Sequence, residues 1–210
     1  MQQKTKRDIA YEEIKKLILS GKLSNDMSIS ENVLANILGM SRTPVRDAIR
    51  RLEMDGFVRI ISSQGIVIRE VSINEVKEIY DMRIALEEFV VRELADGLSG
   101  EDFRNLEAIL KKQEEACKKM DAIAFHEEDR NFHDYLMRVY GNSMITDFIA
   151  RLRDRIAGIN IDMLKVPENM VTFYGEHKKI LEALRKGDGE AAAKEMDEHL
   201  KGGKMRLIVG

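Results

Sequence analysis

The sequence predicts a mainly α protein in two parts: three short helices with a β-hairpin, followed by a longer part made of helices only. Helix breakers are scarce, because the 210 residues include two prolines, while the flexible apolar residue methionine occurs twelve times. Runs of β-branched residues are confined to residues 57–71, and apolar residues elsewhere recur at helical spacing. We therefore predict two domains, residues 1–70 and residues 71–210.

Charge is divided unequally between these two parts. Residues 1–70 hold 12 Lys and Arg against 9 Asp and Glu, a net charge of +3, whereas residues 71–210 hold 22 against 28, a net charge of −6. Such an asymmetry indicates a basic segment that faces an anion, joined to an acidic body. Cys117 is the only cysteine, which favours a reducing compartment, and no apolar run reaches membrane length. These features predict a cytoplasmic protein.

The first two helices of the N-terminal domain follow from apolar spacing and stop signals. Ile14, Leu17 and Ile18 recur at helical spacing before Gly21, and residues 22–30 are typical of a loop. Ser30 is a suitable N-cap for a second helix that ends at Gly39. We predict that this helix buries an apolar side made of Val33, Leu34, Ile37 and Leu38.

The third helix begins so soon after the second that the pair predicts a helix-turn-helix. Ser41 can cap it, and Pro44 is tolerated in its first turn. The 3.6-residue period predicts a buried stripe of Val45, Ala48, Ile49 and Leu52. A neighbouring stripe holds Arg42, Thr43, Arg46 and Arg50. Guanidinium groups bind phosphate in bidentate fashion, or guanine through O6 and N7, so this stripe predicts a nucleic-acid contact.

A β-hairpin is predicted directly after the third helix. Two β-branched runs, FVRII and GIVIREV, are separated by SSQ, and Gly65 lies at the end of this turn. A hairpin in this position forms a wing whose tip can approach the DNA backbone or minor groove. The alternative is a small helical domain with a solvated arginine face, but the stripe, tight turn and hairpin together favour DNA binding.

Six helices are predicted for residues 71–210. Ser72 with Glu75 forms a capping box that opens the first, and Ser99, Asp121, Asn142, Pro167 and Asp188 mark the starts of the others. Their predicted ranges are 72–97, 99–120, 121–140, 142–164, 167–187 and 188 to the C-terminus. Short connections between them favour an antiparallel bundle.

Four polar side chains fall on faces that the bundle should bury, namely Asp129, His133, His177 and His199. A buried imidazole or carboxylate without a partner costs a few kcal/mol, which suggests that these groups meet. One carboxylate and three imidazoles suit a divalent ion such as Zn²⁺ or Ni²⁺. Hydrogen-bonded core histidines are the alternative. We expect the fourth histidine, His126, to have a surface or capping role.

Arg83 lies in the middle of the apolar stripe of the first bundle helix, with Glu87 four residues later. One interpretation is a buried Arg83–Glu87 ion pair, which this spacing permits. The other is that Arg83 faces a cavity and binds an anionic effector through its guanidinium fork.

Residues 30–65, SENVLANILGMSRTPVRDAIRRLEMDGFVRIISSQG, resemble the winged helix-turn-helix of the GntR family of bacterial transcription regulators. DRNFHDYL, EHKKIL and EHL resemble the ligand segments of the FCD domain, the helical sensor of the FadR branch. The resemblance implies that Arg42, Thr43 and Arg46 contact DNA, with Gly65 at the wing tip. It also implies metal coordination by Asp129, His133, His177 and His199, and places Arg83 in the effector cavity. Asn32 departs from relatives that carry a DNA-contacting arginine there.

The predicted function is a ligand-responsive transcription regulator and not an enzyme. We expect a homodimer on a pseudo-palindromic double-stranded DNA operator, and a repressor that is released by a small organic or sugar acid bound beside the metal. Two alternatives remain open from the residues alone. One is a metal-dependent hydrolase, for which no general base is evident beside the ligands. The other is an architectural DNA-binding protein whose metal only stabilises the fold.

Overall fold

The computed structural model describes residues 5–23, 29–62 and 64–209, which form two compact units, residues 1–71 and 72–210. The first unit contains α1 (Lys6–Leu19), α2 (Glu31–Leu38), α3 (Arg42–Met54), β1 (Val58–Ile61) and β2 (Gly65–Ile68). The second contains α4 (Ile73–Leu94), α5 (Gly100–Lys119), α6 (Ala122–Tyr140), α7 (Ser143–Leu164), α8 (Pro167–Arg185) and α9 (Gly189–Val209). The predicted fold class is confirmed. Within the described ranges, no helix is long and apolar enough to cross a membrane.

The core of the first unit is built on α3, whose predicted stripe is buried: Val45, Ala48, Ile49 and Leu52. The prediction for α2 was wrong in part, because Val33 and Ile37 are exposed and Ala35 is buried beside Leu34. At the helical period, the centre of the buried arc formed by positions 34, 35 and 38 lies about 130° around the helix from positions 33 and 37. A small inward alanine carries too weak an apolar signal to set that arc from sequence.

Helix ends in the first unit follow the predicted stop signals more closely than the predicted caps. The Ser30 hydroxyl accepts a hydrogen bond from Val33 N, and Gly39 ends α2 in the left-handed conformation. Ser41 precedes α3 in extended backbone, but its side chain makes no capping hydrogen bond, contrary to our expectation. Residues 24–28 of the predicted loop lie outside the described residues.

The hairpin pairs β1 and β2 in antiparallel fashion, with Ile61 opposite Gly65. Ile66 N donates to Ile29 O at 3.0 Å, so the chain before α2 pairs with the wing. Gly65 has a φ of +82°, and a Cβ there would lie 2.7 Å from Ile29 O. Glycine is therefore required at this position by the backbone itself, whatever contact the wing makes with DNA.

The second unit is a helical bundle in which α4 and α8 both pack on α9, and α5 packs on α6. Ser99 and Asp102 form a complete capping box at the start of α5. The predicted box at α4 is only half present: Ser72 accepts from Glu75 N, while the Glu75 carboxylate binds Arg155 at 2.8 Å. The packing turns the polar residues of α4, α6, α8 and α9 toward one another in the core.

Candidate metal centre and nucleic-acid interface

Three helices bring the four predicted ligand residues together. Asp129 and His133 lie one turn apart on α6, His177 lies on α8 and His199 on α9. Each offers one ligand atom, and all four of these atoms lie within 4.8 Å of one another. His133 and His177 have no exposed surface and His199 is 4% exposed, so water does not solvate the imidazoles.

The inward nitrogen of each histidine is Nε2, and the three approach closely. His199 Nε2 lies 3.2 Å from His133 Nε2 and 3.3 Å from His177 Nε2. The nearest carboxylate oxygen, Asp129 Oδ1, lies 3.5 Å from His177 Nε2 and 4.0 Å from His133 Nε2. Bonds of about 2.0–2.1 Å to a tetrahedral zinc would separate neighbouring ligand atoms by about 3.3 Å. The arrangement therefore fits a small divalent ion with little movement.

The outward nitrogen, Nδ1, of each histidine faces an acceptor oxygen. His133 Nδ1 faces Glu87 Oε2, His177 Nδ1 lies 2.9 Å from Gln113 Oε1, and His199 Nδ1 lies 2.8 Å from Glu176 Oε2. An acceptor at Nδ1 favours the tautomer with the proton there, which leaves a lone pair on Nε2. Three converging lone pairs repel unless a cation lies between them.

Burial keeps two of these imidazoles neutral. Burial first, and then the neighbouring imidazoles, lower the pKa of His199 to about 3 and that of His177 well below the usual histidine value. Neutral imidazole is the form that binds metals. Burial also raises the pKa of Glu176 to about 7, and a cation at His199 Nε2 would favour the state in which Nδ1 carries the shared proton.

Sequence reasoning missed the three partners of the imidazoles. Glu87 lies in the buried stripe of α4 but was considered only as a partner of Arg83, and Glu176 was not singled out although it directly precedes His177. Gln113 carried no signal, because α5 supplies no ligand and a glutamine on a helix is commonplace. In the part of the chain that the structure describes, the buried Gln113 Nε2 has no hydrogen-bond partner.

A buried arginine on α7 binds the other oxygen of the candidate carboxylate ligand. Arg153 is 5% exposed, and its Nη2 lies 3.5 Å from Asp129 Oδ2 while its Nη1 donates to Asp134 Oδ1 at 2.8 Å. This contact leaves Asp129 Oδ1 directed toward the histidines. Arg153 therefore positions Asp129 and also compensates its buried charge.

A small cleft that opens to solvent lies beside the four residues, and Arg83 lines it. Arg83 Nε donates to Glu87 Oε1 at 2.7 Å, so the predicted ion pair is present. Among the described residues this is the only hydrogen bond of Arg83, and both Nη groups remain for a ligand. The two interpretations of Arg83 are thus compatible. Tyr80 and Asn160 add polar groups to the same cleft.

The expectation for His126 was wrong. It is half-buried and lines the cleft together with Asp129, and burial lowers its pKa. Its place early in α6 suggested a surface role, but residues of α7, α8 and α9 line the cleft around it: Met163, Leu164, Phe173, Leu200 and Gly203.

The arginine stripe of α3 faces solvent, as its period predicts: Arg42, Thr43, Arg46 and Arg50 are all exposed. Two of these arginines share one partner that sequence reasoning did not identify. Arg46 and Arg42 both donate to the carboxylate of Glu31, at 3.1 Å and 3.3 Å respectively. Glu31 is the first residue of α2, and its side chain is 30% exposed.

The winged helix-turn-helix and the sensor-like bundle define a DNA-binding transcription regulator. The sequence matches the profile of the bacterial regulatory proteins of the GntR family over residues 6–68 and that of the FCD domain over residues 78–202. The chain belongs to the GntR family, among the members that carry an FCD domain. This membership supports a regulator over a metal-dependent hydrolase.

Known relatives agree with this assignment. The uncharacterized HTH-type transcriptional regulator YdhC of Bacillus subtilis is 29% identical over 90% of this chain and 85% of its own length. The HTH-type transcriptional repressor RspR of Escherichia coli is 29% identical over 82% of this chain and 76% of its own length. The structure of E. coli McbR/YncC superposes with a TM-score of 0.85 and 22% identity, covering 98% of both chains, and so shares the fold.

Proposed function

We propose that this regulator binds a divalent ion through Asp129, His133, His177 and His199, and that a small organic or sugar acid bound beside the ion controls its affinity for DNA. The observation that carries the proposal is the convergence of three Nε2 atoms: that of His199 lies 3.2 Å from that of His133 and 3.3 Å from that of His177. The donor set suits Zn²⁺ or Ni²⁺. Three imidazoles and one carboxylate leave coordination positions that a carboxylate effector can fill.

The DNA contacts are assigned to α3 and the wing. Arg42, Thr43, Arg46 and Arg50 present donors on one exposed face, and the N-terminal end of α3 adds its positive dipole. Gly65 lets the wing turn tightly beside them. We propose a cytoplasmic homodimer in which two such helices enter successive major grooves of a pseudo-palindromic operator, about 34–36 Å apart.

Effector binding is assigned to the cleft between the candidate ion and Arg83. A carboxylate that coordinates the ion at one end can reach the Nη groups of Arg83 with the other, since Arg83 lines the same cleft as Asp129 and His199. An effector that favours one sensor geometry shifts operator affinity, typically by about 1–3 kcal/mol. RspR is named a repressor, which supports repression as the direction of control here, and we propose that the effector relieves it.

Elemental analysis and thermal melting test the metal and effector parts of the proposal together. We expect about one Zn²⁺ or Ni²⁺ per chain in protein purified without chelators, and a lower melting temperature after the ion is removed with a chelator. A panel of small organic and sugar acids should raise the melting temperature of the metal-loaded protein and leave the metal-free protein unchanged. Purified protein that holds no divalent ion and gains no stability from added Zn²⁺ or Ni²⁺ would contradict the proposal.

Arg83→Lys should weaken the effector response and leave metal content unchanged. Lysine keeps the positive charge beside Glu87 but loses the planar fork, so we expect effector affinity to fall about tenfold or more. Isothermal titration with the acids found in the melting screen measures this loss. Arg92→Lys is the matched control, because Arg92 lies on the same helix in a partly exposed pair with Glu88. Equal effector affinity in both variants would remove Arg83 from the effector site.

A further inference from the structure

The first residue of α2 holds two arginines of α3 through a single carboxylate. Arg46 Nε donates to both oxygens of Glu31 at 3.1 and 3.2 Å, and Arg46 Nη2 donates to Oε2 at 3.1 Å. Arg42 Nη2 donates to the same Oε2 at 3.3 Å. The hydrogen bond from Arg46 lowers the pKa of Glu31, so the carboxylate is ionised at neutral pH. One edge of the Arg46 fork is therefore already occupied by an anion.

DNA and Glu31 compete for the same donors. A backbone phosphate can bind the Nε and Nη2 groups that Arg46 presents to Glu31. Glu31 also brings a negative charge close to the phosphate backbone. The pair is exposed, with 46% of the Arg46 side chain open to solvent, so it is weak enough for DNA to displace.

The effect of Glu31 on DNA affinity depends on which groups the duplex presents to Arg46. On non-operator DNA the base edges do not match, so Arg46 contacts phosphates; these exchange one anion for another and leave Glu31 unpaired near the backbone. An operator presents matched base edges, which can bind the edge of the Arg46 fork that Glu31 leaves open, so the Arg46–Glu31 pair stays in place. We propose that Glu31 is a specificity-determining residue that lowers the affinity of Arg42 and Arg46 for non-operator DNA more than their affinity for the operator. This inference rests on the DNA contacts assigned to Arg42 and Arg46 in the proposed function.

Glu31→Gln tests the proposal, because it removes the charge while keeping the size of the side chain. The operator probe is the duplex that the wild-type full-length protein selects from a random pool, and the non-operator probe is the same duplex with its sequence shuffled. By fluorescence anisotropy, we expect non-operator affinity to rise about tenfold and operator affinity less than about threefold. The salt slope on shuffled DNA should steepen by about 0.9 for each phosphate newly neutralised.

Glu13→Gln is the control for net charge, since Glu13 is an exposed carboxylate on α1. It should leave the ratio of operator to non-operator affinity unchanged, and circular dichroism should show both variants folded. If Glu31→Gln changes both affinities by the same factor, or lowers both, the inference is overturned and the proposed function stands. If the wild-type protein selects no preferred duplex at all, the proposed function is overturned as well.

Discussion

Replacing His177 with alanine should remove the metal and lower the melting temperature more than any surface substitution. His177 has no exposed surface, contributes one of the converging Nε2 atoms, and stacks on Phe132 with ring centroids 4.4 Å apart. A ligand present at 100 times its dissociation constant stabilises the native state by about 2.7 kcal/mol. In a chain of this size, the loss of that amount lowers the melting temperature by about 5–10 °C. Elemental analysis and thermal melting measure the two effects.

Part of the loss in His177→Ala would come from packing alone, so the comparison with metal-free protein is decisive. Chelator should lower the melting temperature of the wild type and leave that of His177→Ala unchanged, because the variant has no ion to lose. His126→Ala is the matched control: His126 lines the neighbouring cleft but is not one of the four ligand residues. It should keep its ion. If His177→Ala kept the wild-type metal content, or if His126→Ala lost the metal, the ligand set would be assigned wrongly.

The helical period identified which side chains turn inward, and it did so well where an apolar stripe is long. The stripe of α3 gave four buried residues, and the stripes of α6, α8 and α9 correctly predicted that His133, His177 and His199 are buried, whereas Asp129 is only partly buried. The helical period defines the inward face of a single helix and requires no information about the helices packed against it. Four polar groups on three inward faces were predicted to contact one another, because burying an isolated polar group costs free energy. Their role as ligands stays a prediction.

Contacts between helices were beyond the reach of the same reasoning. Nothing in the sequence of α5 marks Gln113 as functional. Its amide contacts His177 only because α5 packs against α8. Glu31 is a first-turn residue of α2, and only the packing of α2 against α3 brings its carboxylate to Arg46. Such pairings depend on the rotation and offset of two packed helices, which vary by tens of degrees between proteins with the same pattern.

Arg46→Ala should weaken operator binding about 5- to 150-fold, the loss expected from about 1–3 kcal/mol for one good bidentate base contact. Arg46 is exposed on α3 and makes no contact that the core requires, so the fold and the metal content should be unchanged. Anisotropy titration against the selected duplex at physiological salt measures the loss. Arg138→Ala, which removes an exposed arginine from α6 in the second unit, is the control for net charge.

Arg46→Lys separates the geometry of the contact from its charge. Lysine retains the attraction to phosphate but cannot bind a guanine edge in bidentate fashion. If Arg46 reads a base, Arg46→Lys should lose nearly as much operator affinity as Arg46→Ala while it keeps wild-type affinity for shuffled DNA. If Arg46 contacts only phosphate, lysine should restore operator binding and the salt slope. Unchanged operator affinity in both variants would exclude Arg46 from the DNA interface and move the search to Arg42, Arg50 and the wing.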